Sequence, residues 1–441
     1  MKRIIKEIVA FICVVAIFVG GAKIWNYILI DDSKSYTRLM MHELYNSNHN
    51  IDILFVGSSH AYRSFNPVIM DEKFDAYTFV AGTSAQRMDG SLAIIKEAIA
   101  YNDIKKIYLE IYYGVIEDNQ IADRSELTST YIISDYMKLS IRKIDFLLRA
   151  SSKDYYVNSF IPARRNWEKI FEPGYIKNII NTKQKSSYKN YQWERKENEI
   201  EYYVERGFVG CKLNVDEDKV WNSKAYGRIT EYNILKNSEW NKSLIEIIEL
   251  CKENNIELGL VMAPMPEQTI VGKGNYDEYS SYIRDIADLY QLKYYDFNLC
   301  KDDYFDINDD SLFMDEQHLS CKGAEEFSNL FAELCVGQIL EKDIFFNSLE
   351  EKLLEKEPNV LGIAGPEENE ENGLMYAELI SNRKNEMEYE IIAIPDNGTE
   401  RIIQYFNQNC KFEYPLGEHG TLIIKWRLLG DNNTNSIEVE Y

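Results

Sequence analysis

The chain has 441 residues, enough for two or three domains, and its 45% hydrophobic content with 32 tyrosines can bury a large core. A net charge of -23 argues against nucleic acid as a partner, because phosphate backbones are bound through Lys and Arg. The seven cysteines form no Cys-x-x-Cys pair, so neither a zinc site nor any other cofactor is expected, and their odd number rules out complete intramolecular pairing.

The N-terminus reads as a membrane anchor over residues 1–30. Met1-Lys-Arg-Ile-Ile-Lys6 is basic, residues 8–22 are wholly apolar, and beyond Lys23 the chain continues Ile24-Trp-Asn-Tyr-Ile-Leu-Ile30. A spanning helix needs roughly 20 mainly apolar residues. Counted through Ile30, with Lys23 snorkelling and Trp25 and Tyr27 at the interface, the length suffices. The flanking charge sets the N-terminus inside, so a single-pass protein with its body outside the cell membrane is expected. A cleaved signal peptide is the alternative, although no clear Ala-x-Ala site follows the apolar run. A buried core helix is a third reading, opposed by the clustering of Lys2, Arg3 and Lys6 at one end. Residues 31–50 are polar with an amphipathic segment over 36–45, which suits a helical stalk.

The next stretch reads Asp52-Ile-Leu-Phe-Val-Gly-Ser-Ser-His-Ala-Tyr-Arg-Ser-Phe-Asn-Pro67. Residues 53–56 are a short apolar run, the pattern of a strand buried on both faces of a parallel sheet. Gly57 breaks it and a helix-compatible segment follows, so Ser58 and Ser59 sit at a strand-to-helix corner. Carboxyl ends of parallel strands are where α/β proteins hold ligands, which makes a serine there a candidate nucleophile. The alternation continues with a helix over 68–74, a strand over 77–80, a helix over 91–101 and a strand over 104–111.

From about 117 to 236 this rhythm is lost. Residues 134–149 read as helix, whereas 154–226 are rich in Tyr, Asn, Lys and Arg, including Arg164-Arg165-Asn-Trp167 and Tyr188-Lys-Asn-Tyr-Gln-Trp193. This is expected to be an insertion that covers or lines the site; its aromatics suit sugar rings but are better explained by packing. The α/β pattern resumes with a helix over 241–254, its Leu244, Ile245, Ile247, Ile248 and Cys251 inward, and a strand over 257–263 stopped by Pro264-Met-Pro266. A helix over 276–290, a strand over 293–297 and a helix over 322–338 complete it.

A serine nucleophile needs a base. His42 and His49 precede the strand, His60 adjoins Ser59 and is expected to point away, and His419 lies in a separate β segment. His318 remains, in Phe313-Met-Asp-Glu-Gln-His-Leu-Ser-Cys-Lys-Gly-Ala324, with Asp315 three residues before it. A loop entering a helix near Ser320 lets Asp315 hold one imidazole nitrogen while the other faces Ser59, the geometry of acyl transfer. Each residue alone has an ordinary explanation: Ser59 as a helix cap, Asp315 as a turn residue, His318 as a surface residue. The combination points to chemistry. Cys321 beside the loop reads as a buried packing residue.

These blocks resemble the SGNH (GDSL-type) hydrolase superfamily, closest to its membrane-anchored acyltransferase and esterase branch of teichoic-acid D-alanylation and alginate O-acetylation proteins. Gly57-Ser58-Ser59 is similar to the family's first block, with Ser59 at the nucleophile position, and Asp315-Glu-Gln-His318 to its final Asp-x-x-His block. Phe79-Val-Ala-Gly82-Thr-Ser-Ala-Gln86 resembles the second, whose glycine lends an N–H to the oxyanion hole. The resemblance covers residues 52–336 and departs at the third block. In place of Gly-x-Asn-Asp stands Ile107-Tyr-Leu-Glu110-Ile-Tyr-Tyr113; Glu110 cannot donate while ionised, and Gln86 is a substitute third donor beside the N–H groups of Ser59 and Gly82.

The resemblance implies a flavodoxin-like three-layer α/β domain over 51–340 and a serine O-acyltransferase or esterase acting on hydroxyls of a cell-surface polysaccharide or cell-wall polymer. A membrane-bound O-acyltransferase partner is implied in the same way. Beyond 342 the composition changes: 366–373 are charged and flexible in character, and β-rich runs follow at 374–380, 389–394, 402–406, 421–428 and 436–441. Their spacing suggests a small antiparallel β-sandwich over 345–441. The rival class is a non-catalytic surface protein with a degenerate α/β domain and a carbohydrate-binding sandwich.

Overall fold

The computed structural model describes residues 2–113, 127–213, 238–369 and 372–441. Residues 117–126 and 214–236 of the expected insertion, and 370–371 of the charged stretch, lie outside the described residues. The chain opens with α1 (Lys2–Leu29), long and apolar enough to cross a membrane. Its most apolar stretch is unburied, so it is not a core helix of this chain; an anchor and a signal sequence both fit. Then α2 (Tyr36–Asn46), capped by Ser35 accepting from the Arg38 N–H, buries Leu39, Met40, Met41 and Leu44 against the body.

The first α/β half runs β1 (Ile53–Gly57), α3 (Ser59–Ser64), α4 (Pro67–Phe74), β2 (Thr78–Gly82), α5 (Met88–Tyr101) and β3 (Lys106–Glu110). All five residues of β1 are buried, as the apolar run requires of an interior parallel strand. Between the halves lie α6 (Thr128–Ser134), α7 (Ile141–Ala150), α8 (Tyr156–Phe160), a 3-10 helix (Pro162–Phe171), α9 (Tyr175–Gln184), α10 (Ser186–Lys189) and the hairpin of β4 (Glu201–Tyr203) and β5 (Val209–Cys211). The single helix expected over 134–149 is thus two, because Ser140 caps a fresh start by accepting from the Lys143 N–H.

The second half adds α11 (Glu239–Glu253), β6 (Glu257–Met262), α12 (Glu267–Lys273), α13 (Tyr276–Tyr290), β7 (Lys293–Asp296) and α14 (Cys321–Cys335), followed by short helices α15 (Glu341–Ile344) and α16 (Leu349–Leu354). The five long-range strands form one all-parallel sheet in the order β2-β1-β3-β6-β7, registered Ile53↔Thr78 and Ile53↔Lys106. The order reverses beside β1, and the carboxyl ends of the strands at such a reversal are where open α/β sheets hold their ligands. The base-bearing loop follows β7 at the far edge, three strands or about 14 Å from β1. Residues 297–320 therefore return across the carboxyl ends, and α14 packs on α3 and α4.

The rest of the chain has its own core, built from Leu379, Tyr389, Ile391, Phe412, Leu422 and Ile424 among others. It comprises β8 (Val360–Asn369), β9 (Leu374–Ser381), β10 (Met387–Pro395), β11 (Arg401–Asn407), β12 (Lys411–Pro415), β13 (Gly420–Leu428) and β14 (Asn435–Glu440). These make two antiparallel sheets, β12-β9-β8 and β11-β10-β13-β14. Residues 366–369 of the charged stretch continue β8 rather than forming a linker, since pairing with β9 needs backbone and not apolar side chains.

Candidate active site

The sequence dictates a sharp corner after β1. Gly57 is required by close approach: a Cβ there would lie 2.5 Å from the Cβ of Glu110 on β3. Ser58 is the cap of α3, its hydroxyl accepting from the His60 N–H at 3.2 Å. Capping therefore falls to Ser58, and Ser59 is the first helical residue, half-buried, with its hydroxyl free for other partners.

That partner is His318. Its Nε2 lies 2.8 Å from Ser59 Oγ, and its Nδ1 lies 2.9 Å from both carboxylate oxygens of Asp315. Burial raises the Asp315 carboxyl, but the His318 hydrogen bond and charge and the N–H groups of Gln317 and His318 outweigh it and hold the group at about 2. An ionised Asp315 can only accept, so Nδ1 carries the proton and Nε2 is left to accept from the serine hydroxyl. The loop is braced around this chain: Met314 N–H donates to the His318 carbonyl, Ser320 caps α14, and Gly323 lets Leu312 approach so closely that its carbonyl O would sit 2.0 Å from a Cβ.

Glu110 holds the other side of the corner. Its Oε2 accepts from the Ser58 N–H at 2.9 Å and the Ser58 hydroxyl at 3.0 Å, and its Oε1 has no hydrogen-bond partner among the described residues. Burial pushes this carboxyl up to about 7, against the two Ser58 bonds that pull it down, so near neutrality a substantial fraction is protonated. Glu110 thus positions the elbow and touches Ser58, not Ser59.

The Ser59 N–H, first in its helix, has no intrahelical acceptor, and Gly82 ends β2 in register with Gly57. A Cβ on Gly82 would lie 2.8 Å from the Ser58 carbonyl O and 3.2 Å from the Tyr62 N, so only glycine lets this loop close on the corner. Gln86 is otherwise committed: Oε1 accepts from Thr83 and Nε2 donates to Ser91, each at 3.0 Å. Its amide braces the loop, and these bonds do not bring it to Ser59 or His318.

His60 is the group that sequence reasoning set aside. Its ring is fully buried, 4.7 Å from the His318 ring and 4.1 Å from that of Tyr112, stacked on both. Burial and the neighbouring His318 charge push its imidazole well below the ordinary value, so it is a neutral wall. Nothing local in the sequence signals this contact, which exists because the 297–320 return sets His318 against the ring.

Beside the site a cavity of about 450 Å³ is lined by Tyr62, Gly82, Thr83 and Ser84 on one side and by residues of the 31–37 segment, including Lys34 and Tyr36, on the other. Neither Ser59 nor His318 lines it. Three of the insertion aromatics serve as packing: Arg38 stacks on Tyr188 and Tyr191 at 3.7 and 4.1 Å, and Trp193 packs on Tyr36 at 4.9 Å. Cys321 is half-buried, its sulfur accepting from the Cys211 N–H at 3.1 Å. No group of side chains able to hold a metal ion occurs among the described residues.

No protein-family model matches the chain, and no curated protein matches it. Among the solved structures that overlap it, one is described as a platelet activating factor from Streptococcus pneumonia, at 14% identity over 72% of this chain and 98% of that one, TM-score 0.31. Another is described as an acylhydrolase from Bacteroides fragilis, at 10% identity over 68% and 93% of the two chains, TM-score 0.31. Scores of that size carry no inference about activity.

Proposed function

We propose that this chain is a membrane-anchored serine acyl-transfer enzyme of the SGNH (GDSL-type) kind, with a flavodoxin-like three-layer domain and a C-terminal β-sandwich. The observation that carries the reading is the hydrogen-bonded chain from Asp315 through His318 to the Ser59 hydroxyl. Ser59 Oγ attacks an acyl carbonyl while His318 Nε2 takes its proton and Asp315 fixes the tautomer. The N–H groups of Ser59 and Gly82 meet the oxyanion, where loss of one donor costs about 2.7 to 4 kcal/mol. The tetrahedral intermediate expels the donor alcohol, which takes the proton from His318, and leaves an acyl-serine. An incoming hydroxyl then gives its proton to His318 and attacks the acyl-serine, and the Ser59 oxygen leaves with that proton returned from His318, restoring the resting hydroxyl and imidazole.

The acceptor in this reading is a hydroxyl of a cell-surface polysaccharide or cell-wall polymer, the transferred group acetyl, and the body extracellular. A membrane-bound O-acyltransferase is the proposed donor. A serine-directed fluorophosphonate tests the core of it: wild type is labelled and Ser59→Ala is not. Equal labelling of both removes Ser59 from the role. Release of p-nitrophenol from p-nitrophenyl acetate, measured with and without an oligosaccharide acceptor, separates transfer from hydrolysis, since acceptor speeds only transfer.

A further inference from the structure

The contact between α1 and the insertion has a geometric consequence. Lys6 and Trp25 are separated by about 28 Å of helix at 1.5 Å per residue, close to the hydrocarbon thickness of a bilayer. With Lys6 at the inner headgroups, Trp25 marks the outer interface and Ile17 lies about 12 Å beneath it. The 3-10 helix Pro162–Phe171 is fastened to this end of α1. Asn26 Oδ1 accepts from the Ala163 N–H at 2.8 Å, and the Leu29 carbonyl accepts from Asn166 Nδ2 at 3.1 Å and the Tyr175 hydroxyl at 3.0 Å.

Below these bonds an apolar groove of about 450 Å³ runs between the two elements. Ile17, Gly21 and Ala22 line its α1 side; Ile161, Trp167 and Ile170 line the other. Residues that reach the level of Ile17 cannot stay in water if α1 spans. The outward face agrees: Phe171 is 76% exposed and Trp167 52%, packed edge to face at 6.1 Å, with Val157 and Phe160 of α8 also exposed. Arg164 lines the groove on a stem long enough for its guanidinium to reach lipid phosphate.

We propose that residues 156–171 are immersed in the outer leaflet, with the groove against α1 filled by a lipid acyl chain. This rests on the reading of α1 as a spanning helix. The segment is a second, interfacial attachment that fixes how the body is turned toward the membrane. Helices of an acyltransferase partner are the competing occupant, and pure lipid excludes them from the test.

The test uses the full chain carrying Cys13→Ala, reconstituted in nanodiscs of phosphatidylcholine and phosphatidylglycerol. Single cysteines Phe171→Cys, Ile12→Cys and Tyr405→Cys are labelled with a nitrobenzoxadiazole dye, and the Cys13→Ala parent gives the background. Tyr405 is an exposed position on β11. Expected is a blue-shifted emission at 171 and 12, both losing intensity to nitroxide-bearing acyl chains, and neither effect at 405. A dye at 171 that matches 405 while that at 12 is quenched overturns the immersion and leaves the anchor standing. An unquenched dye at 12 overturns both. The full shift in phosphatidylcholine alone, with quenching by nitroxide-bearing acyl chains, assigns 171 to the acyl region; a shift that needs phosphatidylglycerol yet shows no nitroxide quenching places 171 among headgroups and also overturns the proposal.

Discussion

Glu110 and Ser58 are locked together across neighbouring strands, one carboxylate oxygen accepting both the backbone N–H and the hydroxyl of the serine. The carboxyl is buried and its pKa stands at about 7. A carboxyl raised on folding contributes its full stability below its unfolded value and loses it as pH climbs through the folded one. The shift corresponds to roughly 3 kcal/mol in order of magnitude. Thermal stability should therefore fall as pH rises from about 4.5 to 7, and Glu110→Gln, which keeps an acceptor without the charge, should flatten that fall and exceed wild type at pH 8. An unchanged slope in the variant would mean that other groups set the dependence.

Asp315 works in the opposite sense. Its carboxyl is held at about 2, so its contribution is present above the unfolded value and disappears as pH falls toward 2. Asp315→Asn should destabilise the protein near pH 6 and match wild type near pH 2. In ester hydrolysis the same change leaves His318 without the acceptor that fixes its tautomer, and kcat should drop by on the order of 10³ or more. A drop under tenfold would show that the carboxylate does not orient the base.

Gly82→Ala tests the loop opposite the serine. The added methyl meets the Ser58 carbonyl O at 2.8 Å, and that atom belongs to the corner itself and cannot move aside. Overpacking of this kind costs about 1 to 3 kcal/mol. The greater effect should be on kcat, since the loop must shift away from the oxyanion. Gly373→Ala, where nothing lies within 4 Å but φ is +68°, offers a control in which stability changes and kcat does not.

How much of this was legible follows from what each residue answers to. The strand-turn-helix at 53–64 and the Asp315 to His318 spacing are local, and local patterns survive translation into structure. The N–H of Ser59 and the Gly82 approach depended on a pairing, β1 with β2, that alternation of runs already implied. Glu110 and His60 could not be read. Glu110 matters because β3 lies beside β1, and His60 because the return across the strand ends sets His318 against it; both are long-range. The missed strands tell the same lesson: β8 carries Pro366-Glu-Glu-Asn369, and only its ladder with β9 makes it a strand. The double helix at 128–150 was hidden because its break rests on one serine cap.

His60 gives the sharpest contrast between two substitutions. Its ring is clamped between Tyr112 and His318, and because it is neutral it adds no charge beside the base. Stacked rings of this kind contribute about 0.5 to 1.5 kcal/mol beyond burial. His60→Phe keeps the wall and the neutrality, and its kcat should stay within about tenfold of wild type, a ceiling set by the loss of one such contact. His60→Ala opens a cavity costing about 2 to 4 kcal/mol and frees the imidazole of His318 to turn from Ser59. Its kcat should fall further while KM holds, because the wall touches the base and not the acyl group. Fluorophosphonate labelling rates of the two variants separate these outcomes independently of any substrate. Equal rates for Phe and Ala would show that the base keeps its orientation without the ring, and His60 would then be a packing residue only.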